Sequence, residues 1–384
     1  MTDTLKGAHS QYNMMDQPNK YKADSLRNQC SQFAKLNPEI NQKVFSHEIL
    51  QSLANCGFLG WMIPKNDGRQ ANTAKNMFLA SEMLMMQCEN LGIMLSWMIH
   101  EIVSFWFINS FGDSVQKRKY LPSLINGRKT ASIAISEPGV GPHPKYLKTS
   151  AKEMDPYFVM NGEKTYLTNA PLAEIFVVIA ISRIVSDRKQ YSAFIVTSDM
   201  AGFSRSETLN LPFVKSSPHG GILLNDCKIP KENLLGEMHT AYDSMVKPFR
   251  EIEDTLMMGP ILGGMKCQVI NLASKIQTKN ISLNEEQLLA VGKLQTTIES
   301  LRIIAEKSAE LLDNKQPSSV LLLGFRQWVN VFQTTYASLS EQLFPGYLDD
   351  LTRDVCGIGK VASTVMQKKQ VQIGKRLLES LVEF

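Results

Sequence analysis

The polar residues that could do chemistry in this sequence gather around one glycine-rich turn. Ser136 directly precedes the run Glu-Pro-Gly-Val-Gly at 137–141, and a second short hydroxyl, Thr168, follows the Asn-Gly-Glu of 161–163. Gly139 and Gly141 would allow the backbone to approach a pyrophosphate closely. The same segments can also be an ordinary loop and an ordinary hairpin turn, so on their own they leave both interpretations open.

A second candidate for chemistry is a group of carboxylates at 251–254. Glu251, Glu253 and Asp254 lie in the first turns of a predicted helix. A desolvated carboxylate can act as a general base. Acidic residues also stabilise the start of a helix through its dipole, and the spacing alone does not choose between these roles.

The elements that must position these residues fall into three consecutive segments. From about residue 22 to 126, apolar residues recur at the spacings of three and four that are typical of helices. Short β-rich runs follow at 130–136, 158–161, 175–181, 193–197 and 221–224, separated by Gly, Pro, Asn and Asp. Helical patterns return at 242–276, 284–312, 318–343 and 351–382.

This order predicts an α+β, mainly α fold with three domains. We expect an N-terminal helical domain at 1–127, a middle antiparallel β-barrel at 128–240 and a C-terminal four-helix bundle at 241–384. The methionines at 83–86 are interpreted as flexible core packing, with the wall of an acyl tunnel as the alternative.

Composition excludes several classes of protein. The 384 residues are 43% hydrophobic and 20% charged, which is close to the average for soluble globular proteins. The net charge of +4, without a basic tract interleaved with aromatics, gives no case for nucleic-acid binding. The six cysteines are far apart and lack metal-ligand spacing, which predicts reduced thiols and no metal site. Segment 1–22 is polar and no run reaches the ~18 apolar residues of a membrane span, so we expect a cytoplasmic protein.

Three stretches resemble the acyl-CoA dehydrogenase family. The first extends from the Phe-Gly-Asp at 111–113 through Gln116 and the Lys-Tyr-Leu-Pro at 119–122 to Gly127. The second is Ala-Ile-Ser-Glu-Pro-Gly-Val-Gly at 134–141, and the third is Asn-Gly-Glu-Lys-Thr-Tyr-Leu-Thr-Asn-Ala at 161–170. With shorter matches at 211–212, 229–230 and 233–236, the resemblance extends from about Cys56 to Gly236.

The resemblance implies a flavoprotein that binds FAD. In the family, hydroxyls corresponding to Ser136 and Thr168 contact the flavin ring, and the aromatic residue between them in sequence, here Tyr166, shields the face of the ring. The family's phosphate-contacting Ser-Asp is Pro142-His143 here, and its Arg-x-x-Phe-Gly is absent from 275–280. The candidate cofactor-binding residues are Ser136, Gly141, Tyr166, Thr168, Gln287, Gln342 and Gly346.

The resemblance also implies a glutamate base that removes the α-proton of a thioester while the β-hydrogen passes to the flavin. Most members carry this Glu shortly after an Arg-Asp pair, but here Arg353-Asp354 is followed at 358–364 by a run without a carboxylate. A minority carry it on the first helix after the barrel, nine residues before a Leu-Gly, and that position is Glu253. The next residue is Asp254 where those members have Arg, so we expect a like charge beside the base and no cation nearby.

We therefore expect a flavin-dependent acyl thioester dehydrogenase that acts on an acyl-CoA or an acyl-carrier-protein. An electron-transfer flavoprotein would accept the electrons, and the family implies a homodimer or homotetramer. The alternative is a relative that keeps the fold but does non-redox chemistry or only binds a partner. Segment 215–219, followed by 225–227, is similar to members that act on carrier-bound acyl groups, and His219 is interpreted as a surface turn residue.

Overall fold

Helices, then strands, then helices again follow one another along the chain, in the predicted order. The computed structural model describes residues 17–64, 72–361 and 363–382, so the polar segment 1–22 lies mostly outside the described residues. The N-terminal helices are α1 (Gln17–Leu36), α2 (His47–Asn55), α3 (Ala74–Cys88), α4 (Leu91–Ile102) and α5 (Ser114–Ile125).

A sheet forms the middle part of the chain. Its strands are β1 (Ala131–Ala134), β2 (Ser150–Met154), β3 (Tyr157–Thr168), β4 (Ile175–Val185), β5 (Arg188–Thr197), β6 (Phe203–Arg205), β7 (His219–Pro230) and β8 (Leu234–Leu235). Their order is β6-β7-β3-β2-β4-β5-β8, with β1 beside β4. Most pairings are antiparallel, but β1 and β2 run parallel to β4, so the prediction of wholly antiparallel pairing is wrong there. The antiparallel β2–β3 hairpin connects β1 to β4, and this connection allows β4 to run in the same direction as β1.

The sheet curls around a core of its own. Along β4, Ile175 belongs to the large core shared with the helices, whereas the next residue, Phe176, belongs to a second core inside the sheet. Phe176 contacts Phe203 of β6 with 5.2 Å between ring centroids, although β4 and β6 are not neighbours. Phe158 and Phe194 meet in the same way at 5.0 Å. Contacts between distant strands are those of a barrel.

Helix α4 is the central helix of the large core, and all of its residues are buried. The carboxylate of Glu101 accepts hydrogen bonds from the amides of Gly60 and Trp61, both at 2.9 Å, and burial raises the pKa of Glu101 to about 7. The helical stretch Leu91–Asn109 is long and apolar enough to cross a membrane, contrary to the expectation from sequence. However, 89% of this stretch is buried by the protein, which identifies it as a core helix.

A buried histidine ties α4 to the strand that leads into the glycine-rich turn. Nδ1 of His100 accepts the amide of Ala131 at 3.2 Å, and Nε2 lies 3.2 Å from the carbonyl of Leu124. Burial lowers the pKa of His100 to about 4, so the ring is neutral and Nε2 carries the proton that the carbonyl accepts. β1 is thereby held against α4 and the end of α5.

The C-terminal helices pack on one another and on α3. They are α6 (Lys247–Leu256), α7 (Met258–Thr278), α8 (Glu285–Asp313), α9 (Ser319–Leu343), α10 (Asp350–Lys360) and α11 (Ser363–Val382). Buried side chains join three of them, because Gln268 of α7 exchanges hydrogen bonds with Gln333 of α9 and also donates to Thr352 of α10. The fold class is confirmed, while the domain boundaries at 127/128 and 240/241 stay a prediction.

Two glycines let α7 approach α3 closely. A Cβ on Gly259 would lie 2.7 Å from the carbonyl oxygen of Phe78, and one on Gly263 would lie 2.6 Å from that of Glu82. These carbonyl oxygens belong to the backbone of α3, which cannot move aside as the end of a flexible side chain can. Met85 of α3 is fully buried and lies against Gly263, which agrees with the interpretation of the 83–86 segment as core packing.

We expect Gly263→Ala to lower the free energy of unfolding by about 1–3 kcal/mol, because the added methyl must push α7 away from α3. Gly292→Ala is the matched control, since Gly292 lies within α8 with nothing within 4 Å of a new Cβ. There the gain in helix propensity should raise the unfolding free energy by about 0.5–1 kcal/mol. Urea denaturation of the wild type, Gly263→Ala and Gly292→Ala measures both changes in unfolding free energy. Equal changes in the two variants would contradict the close approach of α7 to α3.

Candidate active site

A buried ion pair fixes the glycine-rich turn to strand β3. Nζ of Lys164 lies 2.9 Å from Oε1 of Glu137, and both side chains are almost wholly inaccessible to solvent. The same carboxylate accepts the amides of Lys148 and Thr149, at 2.6 and 2.9 Å. Lys164 also donates to the carbonyl of Ile135 at 3.0 Å. Both ends of the loop 135–149 are therefore bound to one pair of charges.

Opposing effects set the ionisation of this pair. Burial raises the pKa of Glu137, but the charge of Lys164 and the hydrogen bonds from Thr149 outweigh it, so the pKa of Glu137 lies below its usual value. Burial lowers the pKa of Lys164 to about 8 against the attraction of Glu137. Both groups are therefore charged at neutral pH. Removing one member of a buried pair typically costs about 3–5 kcal/mol because the other charge is left uncompensated.

Tyr166 lies in a β-bulge that turns its ring toward solvent. Lys164 pairs with Ile222 and Leu167 pairs with Gly220, so two residues of β3 face one residue of β7. The backbone of Tyr166 has φ 57°, a left-handed conformation that costs a non-glycine residue about 1–2 kcal/mol. Its side chain is 60% exposed. Strain that presents a large aromatic ring at the surface is typical of a functional position.

Ser136 lies beside this ring position. The amide of Thr165 donates to the carbonyl of Ser136 at 2.9 Å, which joins the start of the glycine-rich turn to the bulge. The side chain of Ser136 is partly exposed, with no protein hydrogen bond to its hydroxyl among the described residues. The turn and the bulge thus place Ser136 next to the peptide that precedes Tyr166.

The hydroxyl of Thr168, at the end of β3, lies 3.0 Å from Nε2 of His219. His219 is the first residue of β7 and is only 6% exposed. The interpretation of His219 as a surface turn residue is therefore wrong. The sequence missed its burial because Ser217 and Pro218, which precede it, are typical of turns.

The glycine-rich turn leaves open space beside the site. A Cβ on Gly139 or Gly141 would meet nothing within 4 Å, and both glycines have positive φ, 73° and 59°. The amide of Gly141 is bonded to the carbonyl of Glu137 at 3.0 Å, so Gly141 offers a bare backbone surface and not a free N–H. An exposed aromatic face, a free hydroxyl and an uncrowded turn are the features that a planar ring with a phosphate tail requires, so these residues fit FAD.

Glu253 lies on α6 and is partly buried. Burial raises the pKa of Glu253 to about 7, with a further rise from Asp254 and opposing effects from Arg250 and Arg326. No hydrogen bond to its carboxylate is found within the described part of the chain. This is the condition of a general base that is poised near neutral pH.

The expectation that no cation lies near this base is wrong. Arg326 of α9 forms an ion pair with Asp254 at 2.6 Å and also donates to the carbonyl of Val361 at 2.9 Å. A second cation, Arg250, lies three residues before Glu253 on α6 and was visible in the sequence. Arg326 is 72 positions from Asp254, so no local pattern could reveal that partner. Glu251 has a structural role, because it accepts hydrogen bonds from the amide and the hydroxyl of Ser318 just before α9.

Gln287, Gln342 and Gly346 lie at the other end of the helical bundle. Gln287 forms a capping box with Asn284 at the start of α8, which accounts for its local hydrogen bonds. Gln342 is exposed at the end of α9, and Gly346 follows it with φ 75°. Because α8 has 29 residues, about 43 Å at 1.5 Å per residue, it separates Gln287 from the Ser318 end where Glu251 lies.

Comparisons with known proteins agree with this architecture. Two family models match, "Acyl-CoA dehydrogenase, N-terminal domain" at residues 23–128 and "Acyl-CoA dehydrogenase, middle domain" at 132–227. The caffeyl-CoA reductase-Etf complex subunit CarC of Acetobacterium woodii is 25% identical over 87% of this chain and 90% of its own length. The L-prolyl-[peptidyl-carrier protein] dehydrogenase of Pseudomonas fluorescens is 27% identical over 69% of this chain and 71% of its own.

The solved structure of butyryl-CoA dehydrogenase from Megasphaera elsdenii superposes with a TM-score of 0.81 at 19% identity, covering 95% of this chain and 99% of that one. At this identity the structural match shows the fold. Together with the two family models, it shows that the chain belongs to the acyl-CoA dehydrogenase family.

The raised pKa of Glu253 predicts a change in stability that can be measured without a cofactor. The unfolded carboxyl titrates near 4.5 and the folded one near 7, so the folded state is penalised increasingly as pH rises from 4.5 to 7. Glu253→Gln removes this penalty. We expect the variant to be more stable than the wild type by about 1–3 kcal/mol at pH 8 and equally stable at pH 4. Thermal unfolding at the two pH values measures the difference, and a variant destabilised at pH 8 would contradict the desolvated carboxylate.

Proposed function

We propose that this protein is an FAD-dependent acyl thioester dehydrogenase that introduces an α,β double bond. The observation that carries the proposal is the state of Glu253, a partly buried carboxylate with a pKa of about 7. A thioester α-proton is too weakly acidic for water to remove, so the reaction needs a base of this kind. Membership of the family and the surface around Tyr166 support the flavin half of the proposal.

The proposed roles rest on the chemistry and exposure of each side chain and on membership of the family. Glu253 takes the α-proton, and the ion pair of Asp254 with Arg326 limits the repulsion that its negative charge experiences. Tyr166 would cover one face of the flavin ring, and Ser136 and Thr168 would meet the polar edge of the ring. FAD, when bound, supplies the two-electron acceptor for the β-hydrogen. The open turn at Gly139 and Gly141 would admit the pyrophosphate.

Binding of the adenine end is proposed to require a second copy of the chain. Gln287, Gln342 and Gly346 lie at the end of α8 and α9 remote from Ser318 and α6. They would therefore contact the FAD of a neighbouring subunit, which favours a homodimer or homotetramer.

The proposed substrate is an acyl-CoA or an acyl-carrier-protein thioester. Both carriers occur among the names of the relatives, CoA in the Acetobacterium protein and a peptidyl-carrier protein in the Pseudomonas protein. The first of these is a subunit of an Etf complex, which supports an electron-transfer flavoprotein as the proposed acceptor. The six free cysteines suit a reducing compartment, and the cytoplasm is the proposed location.

The non-redox alternative is not favoured, because the named relatives of the chain are dehydrogenases and reductases of thioesters. Arg326 of α9 also forms an ion pair with Asp254, the residue that stands where the family members with this base have Arg.

Anaerobic bleaching of the flavin tests the proposal. The wild type, purified with FAD, should lose its yellow absorbance when mixed with a matching thioester from a panel of acyl-CoA and acyl-carrier-protein substrates. Glu253→Gln should keep its flavin content but bleach at least 10³-fold more slowly, because the base is lost. The wild-type rate should rise with pH through about 7 as Glu253 loses its proton.

Glu251→Gln is the matched control, because Glu251 lies on the same helix and its carboxylate accepts hydrogen bonds from the amide and the hydroxyl of Ser318. It should bleach like the wild type. A colourless wild type that takes up no FAD would support the non-redox alternative, and undiminished bleaching by Glu253→Gln would place the base elsewhere.

A further inference from the structure

His219 makes two hydrogen bonds that fix its ring in a defined orientation. Nδ1 lies 2.8 Å from the backbone carbonyl of Ser217, and Nε2 lies 3.0 Å from the hydroxyl of Thr168. The side chain is buried at the edge of the barrel, where β7 pairs with the end of β3. The two contacts use both ring nitrogens.

These contacts determine where the protons are. A backbone carbonyl can only accept, so Nδ1 of His219 must carry a hydrogen. Burial keeps the pKa of His219 below its usual value, so the ring is neutral and Nε2 is a bare acceptor. The hydroxyl of Thr168 must then donate its single proton to Nε2. The hydroxyl oxygen of Thr168 can then only accept a hydrogen bond from any other partner.

We propose that His219 is a positioning residue that turns the hydroxyl of Thr168 into a hydrogen-bond acceptor toward the flavin. This inference rests on the proposed function, in which Thr168 meets the polar edge of the ring.

The consequence concerns the reduction potential of the bound flavin. An oxidised flavin presents a bare nitrogen, an acceptor, at its reactive position, whereas the reduced ring carries an N–H there. An accepting hydroxyl favours the N–H form. A threonine free to rotate could donate to the oxidised ring equally well, so His219 raises the potential relative to a site without it.

Spectroelectrochemical titration of the flavoprotein tests this inference. His219→Leu removes the acceptor and frees the proton of Thr168, so the midpoint potential should fall. A tenfold change in the preference for the reduced form corresponds to about 30 mV for a two-electron couple. Thr168→Ser is the matched control, because it keeps the hydroxyl, and its potential should stay close to that of the wild type.

A double-mutant comparison separates this effect from a general change in the site. In a Thr168→Val background, His219→Leu should leave the potential unchanged, because no hydroxyl remains to be oriented. Equal potentials in the wild type and His219→Leu would overturn the inference, and so would the same fall in both backgrounds. Either result would leave the proposed function standing as long as the wild type bleaches with a thioester.

A second measurement does not depend on flavin. With ¹⁵N-labelled histidine, NMR of the full chain at neutral pH should show His219 protonated at Nδ1 and bare at Nε2. Thr168→Val should shift the resonance of Nε2 and leave Nδ1 in place. A proton on Nε2 in the wild type would overturn the inference even if the protein bound no FAD.

Discussion

The candidate site depends on two opposite charges placed where water does not reach. Glu137 comes from the loop that begins at Ser136 and Lys164 from strand β3, and their ion pair is almost inaccessible to solvent. Desolvation makes each charge costly without the other. Strand β3 and the loop that begins at Ser136 are therefore constrained to stay together, and every proposed contact to the flavin ring lies on one of these two segments.

Polar side chains with fixed partners also hold other elements of the molecule in place. His100 and Glu101 hold β1 and the loop at Gly60 against α4. Arg326 brings α9 and the end of α10 to the helix that carries Glu253. The carboxylate of Glu253 has no hydrogen-bond partner within the described chain, so burial raises its pKa without that compensation and suits it to proton transfer.

The sequence predicted the order of helices and strands because periodicity is a local property. The sequence predicted β4 from its apolar run at 175–181, because both faces of this part of the strand are buried. Strand β2 was missed because only Ala151 of its residues is buried, and β8 was missed because it has only two residues. The motifs led to Ser136, Tyr166 and Thr168. The partners of the site were not predictable, because Lys164 meets Glu137 and Arg326 meets Asp254 only after the chain has folded.

Amide hydrogen exchange in Lys164→Met protein tests the central constraint most directly. If the ion pair holds the loop to β3, the amides of Lys148, Thr149 and Thr165 should exchange at least tenfold faster than in the wild type. Amides in the middle of α8, which do not contact the pair, should keep their protection. Unchanged exchange at Thr149 and Thr165, or equal acceleration throughout α8, would contradict the account.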